Sequence, residues 1–359
     1  MRSRRWVVAL SASVVAAAAM TGAPEPAHAD TGSRVAVSNG VLTLDGRPWW
    51  PVGFDAYELG TNWAVNSGCG AQVDLDRYFA SLPPNSLTRF NAYAPLARNR
   101  RTAATDFTAL DAVFAAAERH RQLLVVTLAS GEDACDDGDF KDRNWYAGDW
   151  ASSSYAGWLD TAVGRWGHSS ALAGWELVGE PEASVCGDQQ CQWRQRSCPA
   201  DAASVLRGFF DTAGRRLRAL DPDTPIWAGL AGGGQCGSAG DDYLTVAQSP
   251  GVDVLDLHDY GPPGVPLPGT ATDGVQRRLD QAWIARKPLV VAEMGQAAGS
   301  CRALSERAED LARKAGAQRR AGSAGVLFWA FVPDPRLDQC TLDIGPDDPL
   351  FGVAKSLAG

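Results

Sequence analysis

The sequence predicts an α/β fold, a single (β/α)8 TIM barrel with long, disulfide-linked loops on its C-terminal face. Three observations carry this. Eight short apolar runs rich in β-branched or aromatic residues recur along the chain, and longer stretches of helical period separate them. No Pro/Ser/Thr-rich linker, repeat or low-complexity tail divides the 359 residues. Strand–helix alternation throughout implies a parallel sheet, and eight strands favour a closed barrel over an open doubly wound one. No Gly-rich fingerprint follows the first strand, which argues against a dinucleotide site.

In order, strands are expected at Trp50–Phe54, Ser86–Asn91, Leu123–Leu128, Leu172–Leu177, Pro225–Leu230, Val252–His258, Pro288–Ala292 and Gly325–Phe328. Helices are expected near Asp74–Leu82, Thr105–His120, Ser153–Gly167, Ala200–Leu220, Thr270–Ala285 and Ser305–Ala321, with a short one at Asp241–Gln248. In the second of these, Phe107, Leu110, Val113, Phe114 and Ala117 repeat at three- and four-residue spacing, the mark of one buried helical face.

Residues 1–29 read as an export signal: Arg2, Arg4 and Arg5, an apolar run from Trp6 to Met20, then Ala27-His28-Ala29 as a small-x-small cleavage site. The run is too short to span ~30 Å of hydrocarbon, so no membrane anchor is expected and residues 30–359 form the exported catalytic domain. Losing three Arg and one Glu takes the net charge from −9 to −11. An acidic chain lacks the basic stripe that displaces counterions from nucleic acid. The eight cysteines, Cys69, Cys135, Cys186, Cys191, Cys198, Cys236, Cys301 and Cys340, all fall between an expected strand and the next helix. In an exported chain they imply disulfides, whose pairing the sequence leaves open. No Cys-x-x-Cys occurs and no histidine has zinc-ligand spacing to a cysteine, so no metal is expected.

Two carboxylates stand where the barrel mouth should be. Glu180 follows the fourth strand in Trp175-Glu176-Leu177-Val178-Gly179-Glu180-Pro181, and Glu293 ends the seventh in Val290-Val291-Ala292-Glu293-Met294-Gly295. A pair of acids facing one cleft is what cleavage of a glycosidic bond needs, one to protonate the leaving oxygen and one to attack the anomeric carbon. Thirteen Trp supply flat apolar faces suited to sugar rings.

At these residues the sequence resembles the cellulase-like glycoside hydrolases of clan A, most nearly family five with its β-mannanases and endoglucanases. The motifs run from Val41-Leu42-Thr43-Leu44-Asp45-Gly46-Arg47-Pro48, similar to the family's opening strand pair, through Arg89, Trp175-Glu176-Leu177 and Glu180-Pro181. They continue at His258-Asp259-Tyr260, Glu293-x-Gly295 and Phe328-Trp329. The resemblance implies a secreted retaining enzyme acting on β-mannan or β-glucan, monomeric, free of cofactor, with a polysaccharide or oligosaccharide as partner. It makes Glu180 the general acid/base and Glu293 the nucleophile. Arg89 and Tyr260 are donors able to favour an ionised Glu293, while Glu180 must hold a proton. Arg89 has a second reading, as a barrel-interior cation paired with Glu176. His258 resembles the family's substrate-side histidine, and Trp329 its platform beneath the reacting sugar.

Two departures concern the sugar. The family carries Asn before the acid/base, holding the 2-hydroxyl, where this chain has Gly179, and relatives commonly carry Asn where it has Asp55. His258 or Asp55 could reach the hydroxyl instead, or Gly179 could leave room for a substituted sugar or a furanoside. A glycan-binding barrel with weak or lost catalysis is the alternative of another class. A serine hydrolase lacks its Gly-x-Ser-x-Gly elbow here. Among the remaining indoles, Trp49, Trp50 and Trp158 are expected in the scaffold, and Trp63, Trp145 and Trp150 at further sugar subsites.

Overall fold

In a computed structural model of the chain, which describes residues 33–132, 135–136, 138, 140–187 and 191–358, eight parallel strands close into a barrel. They are β1 (Val52–Asp55), β2 (Leu87–Asn91), β3 (Leu123–Thr127), β4 (Leu172–Glu176), β5 (Ile226–Trp227), β6 (Leu255–Asp259), β7 (Leu289–Met294) and β8 (Gly325–Phe328). Each pairs with its sequence neighbours, and β8 returns to β1. A parallel bridge between Trp227 and Val254 completes the ring. Helices follow the strands: α1 (Leu75–Ser81), α2 (Thr108–Arg119), α3 (Ser154–Trp166), α4 (Ala202–Leu220), α5 (Asp242–Ala247), α6 (Val275–Ala285), α7 (Leu304–Ala321) and α8 (Leu350–Ala358). The eight strands and first seven helices stand where the sequence places them. The last helix, a short one at Arg143–Ala147 and a two-stranded pair of Ala298–Gly299 with Cys340–Thr341 were not anticipated. The export signal lies outside the described residues.

The strands read as near-continuous apolar runs because both faces are covered, one by helices and one by the barrel interior. Leu87, Leu123, Val125, Ala173, Trp227, Val254, Val290, Ala292 and Leu327 form a buried cluster joined by Val35, Leu42 and Leu44 of an N-terminal hairpin. That hairpin pairs Val35–Ser38 with Val41–Leu44 through Asn39-Gly40, both at positive φ, the backbone of a tight turn matched to strand twist. Trp227 fits inside because β4 has Gly174 beside it: a Cβ there would lie 2.2 Å from the indole nitrogen.

All eight cysteines lie on loops that follow strands, as expected, in four disulfides. Cys69–Cys135 ties the loop after β1 to that after β3, and Cys186–Cys191 closes a turn after β4. Cys198–Cys236 joins the loops after β4 and β5, and Cys301–Cys340 those after β7 and β8. By shrinking the unfolded ensemble, each contributes about 2–4 kcal/mol. No helix among the described residues is long and apolar enough to cross a membrane.

Candidate active site

The apolar interior gives way at the C-terminal end of the barrel to a polar layer built on Arg89. Its Nε and Nη2 donate to the two oxygens of Glu176 at 2.6 and 2.7 Å, and its Nη1 donates to Asp55 and to Glu293, each at 2.9 Å. All four side chains are 6% exposed or less. Both readings of Arg89 therefore hold together: it is the partner of Glu176 and the cation beside Glu293. The planar fork of a guanidinium allows this, since its donors leave in several directions at once.

Glu293 reaches the interior through an irregularity in β7. Val291 pairs with Leu257 and Glu293 with His258, so Ala292 is an extra residue opposite no partner. Alternation from Val290 and Ala292, which face the interior, would turn Glu293 outward; the bulge returns it to the cavity opposite His258. The Tyr260 hydroxyl donates to its Oε2. Glu180 is held from the backbone. Gly179 N–H donates to Ala129 at 2.8 Å, Gly131 N–H to Gly179 at 2.8 Å and Glu180 N–H to Gly229 at 2.8 Å, clamping the segment between extensions of β3 and β5. Glu180 itself takes a left-handed φ of 52°, uncommon for a side-chain-bearing residue.

His258 links the two acids. Its Nδ1 lies 2.6 Å from Glu180 and 3.3 Å from Glu293, and the imidazole is 2% exposed. Ligand atoms of the three residues all fall within 4.8 Å of one another. Such a trio can hold a cation, but the Arg89 guanidinium already contacts Glu293 and would repel one, so the donor set suits proton transfer better.

The electrostatics correct one expectation. Burial would raise Glu180, yet its contact with the His258 imidazole, aided by Arg89, holds it below the usual carboxylate range. Burial raises Glu293, and Glu180 adds to the rise, against the pull of His258, Arg89 and Tyr260. His258 is lowered by burial but more strongly raised by Glu293 and Glu180, to about 9. The proton expected on Glu180 thus rests, before substrate binds, on the imidazole 2.6 Å away. Burial also pushes Asp55 and Asp256 well up.

Gly179 is corrected as well. The space beside it is not open to a bulkier sugar: a Cβ there would meet Arg89 Nη2 at 3.0 Å, Glu176 Oε1 at 3.2 Å and Thr127 Cγ2 at 3.3 Å. The missing side chain makes way for the Arg89–Glu176 pair. Gly179→Asn is therefore expected to displace the guanidinium, destabilise the fold by about 1–3 kcal/mol and lower kcat/KM about tenfold or more, read by thermal melts and steady-state kinetics.

Asp55 lies beneath the mouth, with one oxygen on Arg89 and Oδ2 buried without a partner. Trp329 is half-buried at the end of β8, its backbone N–H donating to the Met294 carbonyl at 3.1 Å. Tyr57, which sequence reading passed over, stacks on it with centroids 5.7 Å apart at 16°. Trp145 and Trp150 are not at subsites: both pack on Phe209 and Tyr155 in the layer between barrel and helices. Trp158 is buried there too; Trp50 packs against that same layer and Trp49 against the barrel-interior cluster, as expected. Of the three proposed loop indoles only Trp63 is open, at 50% exposure.

No protein-family model matches the chain. A probable mannan endo-1,4-beta-mannosidase A of Aspergillus niger is 26% identical over 177 residues, 44% of this chain and 42% of that protein. A probable mannan endo-1,4-beta-mannosidase F of Aspergillus flavus is 23% identical over 242 residues, 62% of this chain and 47% of that protein. The chain thus spans less than half the length of either relative. Solved structures match more fully. The endo-1,4-beta-mannanase of Rhizomucor miehei superposes with a TM-score of 0.67 at 17% identity, covering 91% of this chain and 98% of that one. A glycoside hydrolase family 5 mannosidase of the same organism gives 0.62 at 14% identity, with 92% and 97% covered. In its barrel, across nine-tenths of its length, the chain is similar to the clan A glycoside hydrolases of family five.

Proposed function

We propose that residues 30–359 are a single catalytic domain, exported behind the leader 1–29, which cleaves β-linked polysaccharide of the β-mannan or β-glucan type with retention of configuration. The observation that carries this reading is the approach of Glu180 and Glu293, with an oxygen of each within 4.8 Å of the other. Retaining enzymes hold their carboxyls ~5–5.5 Å apart, whereas inverting enzymes leave ~6.5–9.5 Å for a water. The names of the similar proteins favour mannan, and the four disulfides support an extracellular setting.

In the first step a Glu293 oxygen attacks the anomeric carbon while the glycosidic C–O bond breaks and its electron pair leaves on oxygen. Forming the ester removes the Glu293 charge, the largest influence keeping a proton on His258. That proton passes along the 2.6 Å contact to Glu180 and on to the leaving oxygen. In the second step Glu180 and His258 take a proton from water as its oxygen attacks the anomeric carbon and the ester bond breaks. Arg89 and Tyr260 hold Glu293 in line throughout. A glycan-binding barrel that had lost catalysis would have no use for this network.

Since His258 titrates at about 9, kcat/KM should fall as pH rises through that value, because the pair then has no proton to donate. His258→Asn should move the basic limb to lower pH; an unmoved limb would remove His258 from the proton path. The reading itself is tested by assaying released reducing ends on a panel of β-mannans and β-glucans. Activity on at least one is the expected result. None on any, from folded protein, would leave the glycan-binding alternative.

A further inference from the structure

The loops that follow β1 and β8 enclose a second pocket of about 380 Å³. It begins where the Trp329 platform ends, because Tyr57, which stacks on Trp329, is also one of its walls. Trp63 forms another aromatic wall, and Glu58, Asp334, Arg336 and Asp343 supply the polar ones.

This pocket is built. Glu58 is only 6% exposed, and its carboxyl fits because Gly70 stands opposite: a Cβ there would lie 1.9 Å from Glu58 Oε1. Gly70 adopts a φ of 98°, which side-chain-bearing residues rarely take, and the adjacent Cys69 is tied to Cys135. The opposite wall is pinned by Cys301–Cys340 and by Arg336, which gives its backbone N–H, Nε and Nη2 to Asp343 at 2.9, 2.8 and 2.7 Å.

Its charges do not balance. Arg336 is committed to Asp343, and neither Glu58 nor Asp334 forms an ion pair among the described residues. Glu58 Oε2 is buried with no hydrogen-bond partner, an arrangement costly for a carboxyl unless a ligand supplies the donor. Burial pushes Glu58 up to about 7 against the pull of the Ala71 N–H and the Tyr57 hydroxyl, and the charges of Asp334 and Asp343 add to the rise, while Oε2 itself stays without a donor. A neutral hydroxyl would satisfy Oε2 and leave the mutual repulsion of Glu58 and Asp334 in place. An ammonium group would answer both, and an acidic sugar would be repelled.

We propose that the pocket is a subsite for an amino sugar, a hexosamine unit whose ammonium group lies between Glu58 and Asp334 and whose ring rests against the aromatic walls. This inference rests on the glycosidase reading for the glycan that delivers the unit. It means that the preferred substrate carries free amino groups at a position set back from the cleaved bond, which plain mannan and cellulose lack.

The test measures binding rather than turnover, so the two readings can fail separately. Full-length mature protein carrying Glu293→Gln is titrated in a calorimeter with hexamers of β-1,4-linked glucosamine, their N-acetylated counterparts, and mannohexaose. Acetylation removes the charge and keeps the ring. The glucosamine hexamer should bind about tenfold or more tighter than either neutral hexamer, and added salt should erode the preference. Glu58→Gln, nearly isosteric beneath Gly70, should cut the preference to about threefold or less. Asp334→Asn, which buries nothing new, does the same if Glu58→Gln fails to fold. Equal affinities for charged and acetylated hexamers, or a preference surviving both substitutions, would overturn the proposal. Absence of wild-type turnover on every glycan would refute the catalytic reading while leaving this comparison decisive for the pocket.

Discussion

Glu293→Gln is expected to lower kcat by about a thousandfold or more while leaving the melting temperature close to that of the unmodified protein. The amide cannot form the glycosyl ester, so the double displacement stops at its first step. Stability should hold for a separate reason. Gln can still accept from Arg89 through its carbonyl oxygen while its amide N–H donates to the Tyr260 hydroxyl, and replacing a carboxyl that burial has already raised removes a desolvation cost along with the attraction it offsets. The substitution should also release His258 from its largest raising influence, so its titration, followed by NMR, should move down from about 9. A variant that keeps more than about a tenth of the original rate would show that Glu293 is not the nucleophile.

Arg89→Met should be the most destabilising single change at the site. It leaves Glu176, Asp55 and Glu293 without their common cation at positions 6% exposed or less, and breaking a buried pair from one side costs about 3–5 kcal/mol. The same loss raises Glu293 further. The acid limb of kcat/KM should then shift to higher pH, and activity at neutral pH should fall about a hundredfold or more. Denaturant unfolding reads the first effect and a pH–rate profile the second. A loss of stability under about 1 kcal/mol would mean that the carboxyls carry enough protons of their own to dispense with the guanidinium.

The barrel was legible because each strand is an apolar run buried on both faces, and such runs survive translation into structure with ends shifted by three residues at most. Glu180, Glu293 and Arg89 were legible because they lie on or just past strands whose C-terminal ends share one face. The bulge at Ala292 was not: nothing in Val290-Val291-Ala292-Glu293 marks an extra residue, yet without it Glu293 would point at the helices. The sharing of a proton between His258 and Glu180 was hidden for the same reason, since it depends on a 2.6 Å contact between residues 78 apart in sequence. Gly179 showed an absent side chain but not the guanidinium that fills its place. Trp145 and Trp150 were misread because the polar residues around them in sequence say nothing of Phe209, which arrives from α4 to bury them. Nothing in the sequence marks Glu58, because its seat depends on Gly70, twelve residues on.

The central claim is that Glu180 and Glu293 act as acid/base and nucleophile across a gap too narrow to seat a water between Glu293 and the anomeric carbon of the intact substrate. Following the anomeric proton of the first product by NMR, before mutarotation sets in, tests it most directly. A β-linked substrate should release the β-anomer first, and Glu293→Gln should release none. First appearance of the α-anomer would contradict the account, because inversion demands a water between the two carboxyls where the structure holds an oxygen of one within 4.8 Å of an oxygen of the other.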